Sequence, residues 1–523
     1  MATELWKLSA TELARRIARG ECTSVDAVEA HIARIGDVDR SLNALVVKRF
    51  DAALAEARDA DRARDEGRSL GRLHGVPITV KESLDVVGLP KTWGLRSRSK
   101  SSSAVQDDPY VARLRAAGAI VLGKTNVSQL LIFYEADNPV YGRTNNPWSV
   151  KRTPGGSSGG EAALIAAGGS PLGIGTDIGG SLRVPATFCG LSAMKPTQGR
   201  LPDTGGPPIF AGQTAIESAT GAIAREVADV VLAIECMNGG RNPAAEPPRP
   251  LGDPHALDVS TLRIGYYSRA GSFAAAPGVA RAVEEAAGAL HQLGARVVPF
   301  DPPYPDHAEE LFYGILSADG VAGARAVLGR TRRDRRVADL MKYASKDRAG
   351  IARTIGFLKL LGQHRLARVA NTYGFQDTSH YWQLVAEQAE YRRRFAEALD
   401  RAASGPIDVL LGPACALPAF AHGESRTLGT IGAYATMYNV LGYPAGVVPI
   451  TRIGRDEEVG RVRSRDWVEK AALKAETGSF GLPVGVQVIA RPWREHVAFA
   501  VMLALEAALR KRPDYPRTPI DIA

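Results

Sequence analysis

The chain has 523 residues, 45% of them hydrophobic and 23% charged, and a formal net charge of +9 at pH 7, which excludes a natively disordered protein. Its four cysteines are far apart and form neither a CxxC pair nor a cluster with histidine, which argues against a disulfide framework or a metal site. The sequence shows no signal-peptide core and no run of about 18 apolar residues, so we expect a cytoplasmic protein in a reducing compartment.

The first elements in chain order are predicted to be helices. Ser9 and Glu12 form the start pattern of one helix, and Thr23 opens a second helix with one apolar face. Residues 47–66, rich in alanine and alternating charge, predict a third helix. We therefore expect amino-terminal helices over residues 9–66.

Strand and helix patterns alternate through the rest of the chain. The predicted helices are 110–117, 279–293, 382–403 and 494–510. The predicted strands are 76–80 and 119–125, followed by LRIGYY, ARVVPF, IDVLLGPA, AGVVPI and VGVQVIA. This alternation predicts an α/β fold in which helices cover a sheet. Residues 239–258, rich in proline and glycine, predict a linker or crossover loop.

Two glycine-rich turns contain serines that are candidate catalytic residues. GGSSGG surrounds Ser157, and DIGGS ends at Ser181. Lys81 lies at the end of a predicted strand upstream, and no histidine occurs between His74 and His255. A hydrolase built from these residues has to activate its serine without imidazole, and lysine is the base on offer.

The turn that ends at Ser181 can bind an oxyanion. Glycines let the backbone turn sharply and aim several N–H groups into one small volume, where they stabilise developing negative charge. The N–H groups that we expect there belong to Ile178, Gly179, Gly180 and Ser181. The alternative is that the glycines only turn the chain or cradle a phosphate, although their GxGxxxG spacing matches neither phosphate-binding motif.

Lys81 can act as a base only if burial keeps it uncharged. A lysine has a pKa of about 10.4 in water, and burial lowers that pKa by up to roughly 3–5 units. Lys81 can then take a proton from Ser157, which takes the proton of Ser181. The alternative for a lone lysine after a strand is a solvated strand end. Asp177 and Arg183 beside the turn predict a structural ion pair, with a catalytic carboxylate and a substrate clamp as the alternative.

These residues together resemble the amidase signature family, whose hydrolases use a Ser–Ser–Lys triad. The resemblance implies that Lys81 is the base, that Ser157 is a bridging serine held by a cis peptide bond, and that Ser181 forms the acyl-enzyme. It extends over nearly the whole chain, from TELARRIARGECTS through GRLHGVPITVKES to GLPVGVQVIARPW. It implies a cofactor-free serine hydrolase that cleaves linear C–N amide bonds of small molecules.

The resemblance also implies the domain organisation. We expect a single amidase domain over 1–523 with a twisted mixed β-sheet covered by helices on both faces. Its catalytic core would span about 70–235 and 405–510, and a variable cap region would span about 300–400. A homodimer is implied by the family as well.

Within that family the chain resembles the fatty acid amide hydrolases, through segments such as DNPVYGRTNNPW and YNVLGYPAGVVPIT. Residues just before the NP motif contact the substrate in those enzymes. The resemblance therefore implies an apolar acyl pocket. Its lining residues would be Leu131, Ile132, Phe133 and Tyr134, with Trp467 nearby. Core packing is an equally good account of any one of these residues.

The cap region contains a basic and moderately apolar segment over 348–369. Ile351, Ile355 and Leu358 share one face of a predicted helix there. Basic amphipathic helices bind anionic membrane surfaces, so peripheral membrane contact is one hypothesis for this segment. A solvated helix that packs on the core is the alternative.

Other functions remain open at this point. One alternative is a protein like the glutamine-hydrolysing A subunit of an amidotransferase, which would need partner subunits and polar groups for glutamine. Another is an amidase that acts on carbamates or aryl amides, and a third is a non-catalytic scaffold. Nucleic-acid binding is not expected, because the basic residues lack interleaved aromatic side chains.

Overall fold

The computed structural model describes residues 2–68, 71–100, 102–239 and 249–522. Its strands are β1 Leu45–Lys48, β2 Pro77–Lys81, β3 Ile120–Thr125, β4 Asp137–Asn138, β5 Gly142–Arg143, β6 Leu172–Asp177, β7 Ser192–Lys195, β8 Ala219–Ala224, β9 Arg263–Tyr266, β10 Arg296–Pro299, β11 Val409–Pro413, β12 Ala445–Arg452 and β13 Pro483–Ala490. Eleven of them form one mixed sheet in the order β1-β3-β2-β6-β8-β7-β12-β13-β11-β9-β10. The hairpin β4–β5 stands apart from it.

Helices cover both faces of this sheet, which confirms the predicted α/β class. In the described ranges they are α1 Ala10–Ala18, α2 Ser24–Leu42, α3 Phe50–Asp65, α4 Pro109–Ala116, α5 Gly159–Ala166, α6 Arg183–Cys189, α7 Val227–Met237, α8 Pro277–Gln292, α9 Pro305–Leu316, α10 Ala322–Leu328, α11 Arg335–Ala344, α12 Arg348–Leu360, α13 His364–Thr372, α14 Thr378–Asp400, α15 Ala433–Leu441, α16 Trp467–Glu476 and α17 Glu495–Leu509.

The amino-terminal segment differs from the prediction in one respect. Helices α1, α2 and α3 are present, and the Ser9 and Thr23 side chains cap the first two of them. The predicted third helix begins too early, because residues 45–48 form β1, which pairs antiparallel with β3. Val46 and Val47 favour the extended backbone there. Of the predicted linker 239–258, residues 240–248 lie outside the described part of the chain.

The strand order places the ends of β2 and β6 side by side. These two strands are parallel neighbours, with Thr79 opposite Gly173 and Val80 opposite Ile174. Parallel neighbours end at the same edge of a sheet. Lys81, the last residue of β2, and Asp177, the last residue of β6, therefore lie at one edge. Both strands are fully buried, so side chains at this edge are shielded from bulk water.

Helix α5 begins at Gly159, inside the first glycine-rich segment, and packs behind this edge. Its Glu161 accepts hydrogen bonds from the hydroxyls of Thr79 on β2 and Thr125 on β3, at 2.6 Å and 3.0 Å. All three side chains are buried. This contact holds the start of α5, and the turn before it, against the sheet.

Helices α9–α13 lie in the predicted cap region, between β10 and β11 in the chain. Val321, Val337 and Met341 from this region pack with Leu130 and Ile209 in one buried apolar cluster. On α12, Ile351, Ile355 and Leu358 are half-buried, as expected for one shared face. No helix within the described ranges is long and apolar enough to cross a bilayer.

Candidate active site

Lys81 is buried at the end of β2 and makes three polar contacts. Its Nζ donates to Ser157 Oγ at 2.8 Å, to Thr176 Oγ1 at 2.9 Å and to the Thr176 carbonyl oxygen at 3.2 Å. The side chain is 0% exposed. Lys81 is therefore not the solvated strand end that a lone lysine suggests.

Burial controls the charge of Lys81. Removal from water disfavours the ammonium form and lowers the pKa of Lys81 to about 8, although nearby carboxylates raise it in part. The largest of these opposing contributions comes from Asp203, followed by Asp177 and Glu161. At pH 8 about half of the Lys81 side chains are thus uncharged amines, which are able to accept a proton.

Ser157 and Ser181 lie on two different turns that meet beside Lys81. The peptide bond between Gly156 and Ser157 is cis, as the resemblance implies. Both serines, together with Thr176, line the same cavity. The Ser158 N–H donates to the Ser181 carbonyl oxygen at 3.2 Å, which joins the two turns through the backbone. The three sequence-predicted residues are therefore brought together at one place.

The turn from Asp177 to Leu182 differs in detail from the expected oxyanion site. The Gly180 N–H donates to Asp177 Oδ1 at 2.8 Å, so it is already used inside the turn. The N–H groups of Ile178, Gly179 and Ser181 make no such contact with any described residue. Three of the four expected donors therefore stay available to an oxyanion. Of the residues in this turn, only Gly180 has a positive φ, at 104°. Gly175 does not belong to the turn, because it lies inside β6.

Asp177 and Arg183 form a buried ion pair that supports this turn. Arg183 Nε and Nη2 donate to the two Asp177 oxygens at 3.0 Å and 2.9 Å, and both side chains are 0% exposed. Burial alone would raise the pKa of the Asp177 carboxyl, but the Arg183 charge and hydrogen bonds hold it well below its usual range. Arg183 also donates to Ala435 O and Asn439 Oδ1. These contacts agree with the structural role expected for the pair and leave neither group facing the cavity.

The cavity beside the two serines has a volume of about 220 Å³. Its walls are mostly apolar, and all four residues predicted before the NP motif line it: Leu131, Ile132, Phe133 and Tyr134. The Tyr134 hydroxyl donates to the Gly179 carbonyl oxygen at 2.6 Å, which ties this wall to the nucleophile turn. Trp467 does not belong to the lining. It begins α16 with its side chain 43% exposed.

Several lining residues were not foreseen from the sequence. The cap region contributes one wall, whose largest side chains are Phe312, Tyr313, Leu316, Met341 and Tyr373. Ile209, Phe210 and Asp203 contribute from the long connection between β7 and β8. Thr176, next to the predicted Asp177, could have been suspected from its place at the end of β6. Among described residues, no group of three or more His, Cys, Asp or Glu side chains is arranged to hold a metal ion.

Comparison with known proteins identifies the family. The chain matches the family model described as Amidase over residues 26–498. It is 32% identical over 520 residues to fatty-acid amide hydrolase 1 of Sus scrofa, an alignment that covers 96% of this chain and 86% of that relative. The chain belongs to the amidase signature family and is a hydrolase that acts on carbon–nitrogen bonds.

Two further comparisons show the range of this family. The A subunit of glutamyl-tRNA(Gln) amidotransferase from Streptomyces coelicolor is 29% identical over 530 residues, which cover 98% of each chain. Among solved structures, a fatty acid amide hydrolase matches with a TM-score of 0.83 and 24% identity, over 97% of this chain and 86% of that chain. The structural match supports the fold described above.

Proposed function

We propose that this chain is a serine amidase that cleaves linear amides with an apolar acyl group through a Ser181 acyl-enzyme. The observation that carries the proposal is the 2.8 Å contact between Lys81 Nζ and Ser157 Oγ, beside a cavity that Ser181 also lines. Lys81 serves as the base and Ser157 as the proton relay.

The contacts of Lys81 orient its lone pair. A neutral amine has two N–H donors and one lone pair. The Thr176 carbonyl oxygen and hydroxyl accept the two donors, so the lone pair points at the third partner, Ser157 Oγ. Ser157 can then donate its proton to Lys81 while it accepts the proton of Ser181.

The reaction follows from this relay. The Ser181 oxygen forms a bond to the amide carbonyl carbon, its proton passes to Ser157, and the proton of Ser157 passes to Lys81. The N–H groups of Ile178, Gly179 and Ser181 stabilise the oxyanion that forms. The proton then returns through Ser157 to the amide nitrogen as the C–N bond breaks. After the amine leaves, water forms a bond to the acyl carbon and gives its proton to the same relay. The bond between Ser181 Oγ and the acyl carbon then breaks, the proton returns to Ser181, and the acid is released.

The lining of the cavity supports an apolar acyl group over glutamine. Its described lining residues include no lysine or arginine, so the α-carboxylate of glutamine would lack a cationic partner. This argues against a glutamine-hydrolysing activity like that of an amidotransferase. The volume of about 220 Å³ is below the roughly 300–1,000 Å³ of drug-sized sites, which favours compact acyl groups such as aryl acyl groups.

Labelling and turnover test this proposal together. A fluorophosphonate probe should label the wild-type protein at Ser181 and leave S181A unlabelled. Hydrolysis of phenylacetamide should be lost in S181A, whereas S170A, at a buried serine that does not line the cavity, should keep the wild-type rate. S181A that still hydrolyses the amide would refute the assignment of the nucleophile.

A cavity variant tests the acyl group. Phe312 lies against Gly179 and lines the cavity, so F312A should enlarge it. We expect the ratio of kcat/KM for amides with a long acyl group to kcat/KM for amides with a short acyl group to rise in F312A. F420A removes a buried phenylalanine that does not line the cavity and should leave this ratio unchanged.

We also propose that α12 touches an anionic membrane surface. Phe357 and Leu360 are 58% and 83% exposed, and they lie beside the exposed Arg353 and Lys359. Apolar insertion and attraction of the basic side chains would act together there. The wild-type protein should float with vesicles that contain anionic phospholipid, and F357A/L360A should float less. F480A, exposed elsewhere, is the control, and no binding at low salt would contradict the proposal.

The homodimer implied by the family is a further proposal. Light scattering on the purified protein should give twice the mass of the chain. A mass equal to that of one chain at all concentrations would contradict it.

A further inference from the structure

Asp203 places a carboxylate in the catalytic cavity that the reaction described above does not use. It belongs to the connection between β7 and β8 and lines the same cavity as Ser157 and Ser181. Its backbone N–H donates to the Ser218 carbonyl oxygen at 3.0 Å. Its Oδ1 accepts from the N–H groups of Gly205 and Gly206 at 2.9 Å and 3.1 Å, which fixes the direction of the side chain.

The loop that carries Asp203 is packed against the residues that follow Lys81. A Cβ atom at Gly205 would lie 2.3 Å from the Ser83 carbonyl oxygen and 2.9 Å from Leu84 Cα, so only glycine allows this approach. Trp93 Nε1 donates to the Gly205 carbonyl oxygen at 2.9 Å, and the hydroxyl of the neighbouring Thr204 donates to Asp108. The position of the carboxylate is therefore tied to the segment that begins at Lys81.

Three carboxyl groups act on Lys81, those of Asp177, Glu161 and Asp203, and their surroundings differ. The Asp177 carboxylate on β6 is also paired with Arg183, at 2.9 Å. Burial raises the pKa of Glu161 on α5 to about 8, so this group is largely protonated near neutral pH. Asp108, which faces the Asp203 loop from the start of α4, has a pKa that burial raises. Of the three groups, Asp203 makes the largest favourable contribution to the charge on Lys81.

We propose that Asp203 is a positioning residue for amide hydrolysis: its carboxylate stabilises the Lys81 ammonium that forms while Ser181 adds to the substrate. Asp203 thereby sets the pH range in which Lys81 can first accept the proton and then return it to the leaving amine. This inference rests on the proposed function, because it assigns Lys81 the role of base.

Charge removal at this position should change the pH profile in a defined direction. In D203N the ammonium form of Lys81 loses support, so Lys81 becomes a weaker base that is neutral at lower pH. The acidic limb of kcat/KM should move down by about 0.5 pH unit or more, and the plateau rate should fall about 10-fold. D203E keeps the negative charge, so the acidic limb of its kcat/KM profile should lie at the same pH as in the wild type.

Asp319 supplies the matched control. It is the second aspartate among the described lining residues, and its carboxylate accepts from the N–H groups of Val321 and Gly323 at the start of α10. Asp203 and Asp319 therefore share a loop-capping role, but Asp319 is not among the groups that act on Lys81. D319N should leave the acidic limb unchanged.

The rate of fluorophosphonate labelling at Ser181 separates this inference from the choice of substrate. Labelling needs the same deprotonation of Ser181 but no amide, so its pH dependence should shift in D203N as kcat/KM does. A D203N protein with a wild-type melting temperature whose labelling rate falls equally at every pH would overturn the inference. Absence of labelling in the wild type would overturn the proposed function instead. Should D203N fail to fold, D203S carries the same test.

Discussion

Lys81 and Thr176 are joined by two hydrogen bonds, from the Lys81 amine to the Thr176 hydroxyl at 2.9 Å and to its carbonyl oxygen at 3.2 Å. The parallel register of β2 and β6 produces this pairing, because it sets the last residue of one strand beside the end of the next. A threonine of the sheet thereby aims the amine at Ser157. Orientation of the base thus comes from the fold and needs no histidine.

The hydroxyl of Thr176 should matter for turnover. T176V keeps the shape of the side chain and the carbonyl contact but removes one acceptor of a Lys81 N–H. We expect kcat/KM for amides to fall about 10- to 100-fold, the scale of one lost hydrogen bond in a buried site. T451V, at a buried threonine of β12 outside the cavity, should keep the wild-type rate. Equal rates for T176V and the wild type would show that the hydroxyl does not orient the base.

The pH dependence of the wild-type enzyme should report Lys81. Because burial lowers the pKa of Lys81 to about 8, the protonated and inactive form prevails below that pH. We expect kcat/KM to fall about tenfold per pH unit below about pH 8 and to level off above it. Initial rates between about pH 6 and 10 measure this limb. A flat profile from about pH 6 to 9 would exclude a base with this pKa.

The lowered pKa of Lys81 should also make the free energy of unfolding depend on pH. Between about pH 8 and 10.5 the unfolded chain holds a proton on Lys81 that the folded protein has lost, so folding becomes more favourable as the pH rises. Relative to K81M, the wild type should gain up to about 3 kcal/mol of unfolding free energy across this window.

Urea unfolding of both proteins at several pH values from about 7 to 10 measures this difference. The buried lysines Lys124 and Lys195 are present in both proteins, so their contributions cancel. If the difference in unfolding free energy between the wild type and K81M stays constant with pH, Lys81 has the same pKa in the folded and the unfolded state.

Arg183 should be essential for stability. R183M removes the positive partner of Asp177 and leaves a buried carboxylate uncompensated, which costs about 3–5 kcal/mol. Urea unfolding measures the loss, and activity should fall because the Asp177 turn carries Ser181. R393M, at an exposed arginine of α14, should leave the unfolding midpoint unchanged. An R183M protein as stable as the wild type would exclude the supporting role.

The sequence predicted the parts of the site that depend on short segments. Lys81, Ser157 and Ser181 each lie on a recognisable strand end or glycine turn, and the α/β alternation places strand ends at one edge. The sequence did not show that the Gly180 N–H is bound by Asp177 and so lost to an oxyanion. That hydrogen bond depends on the orientation of the Asp177 carboxylate.

The wall from the cap region was beyond prediction for a different reason. No helix was predicted at α9 from the sequence, and the cavity residues that Phe312 and Tyr313 face are distant from them in the chain. The same limit applies to Asp203, whose loop carries no motif. Trp467 marks the opposite error, since the resemblance implied a place in the cavity lining that Trp467 does not have.

The amide-to-ester ratio of K81A tests the central claim most directly. An amine leaving group needs the proton that Lys81 returns, whereas an alkoxide leaving group depends on it less. We predict that K81A lowers kcat/KM at least about 10-fold more for an amide than for the ester with the same acyl group. Equal losses for the two substrates would contradict the proton relay through Lys81 and Ser157.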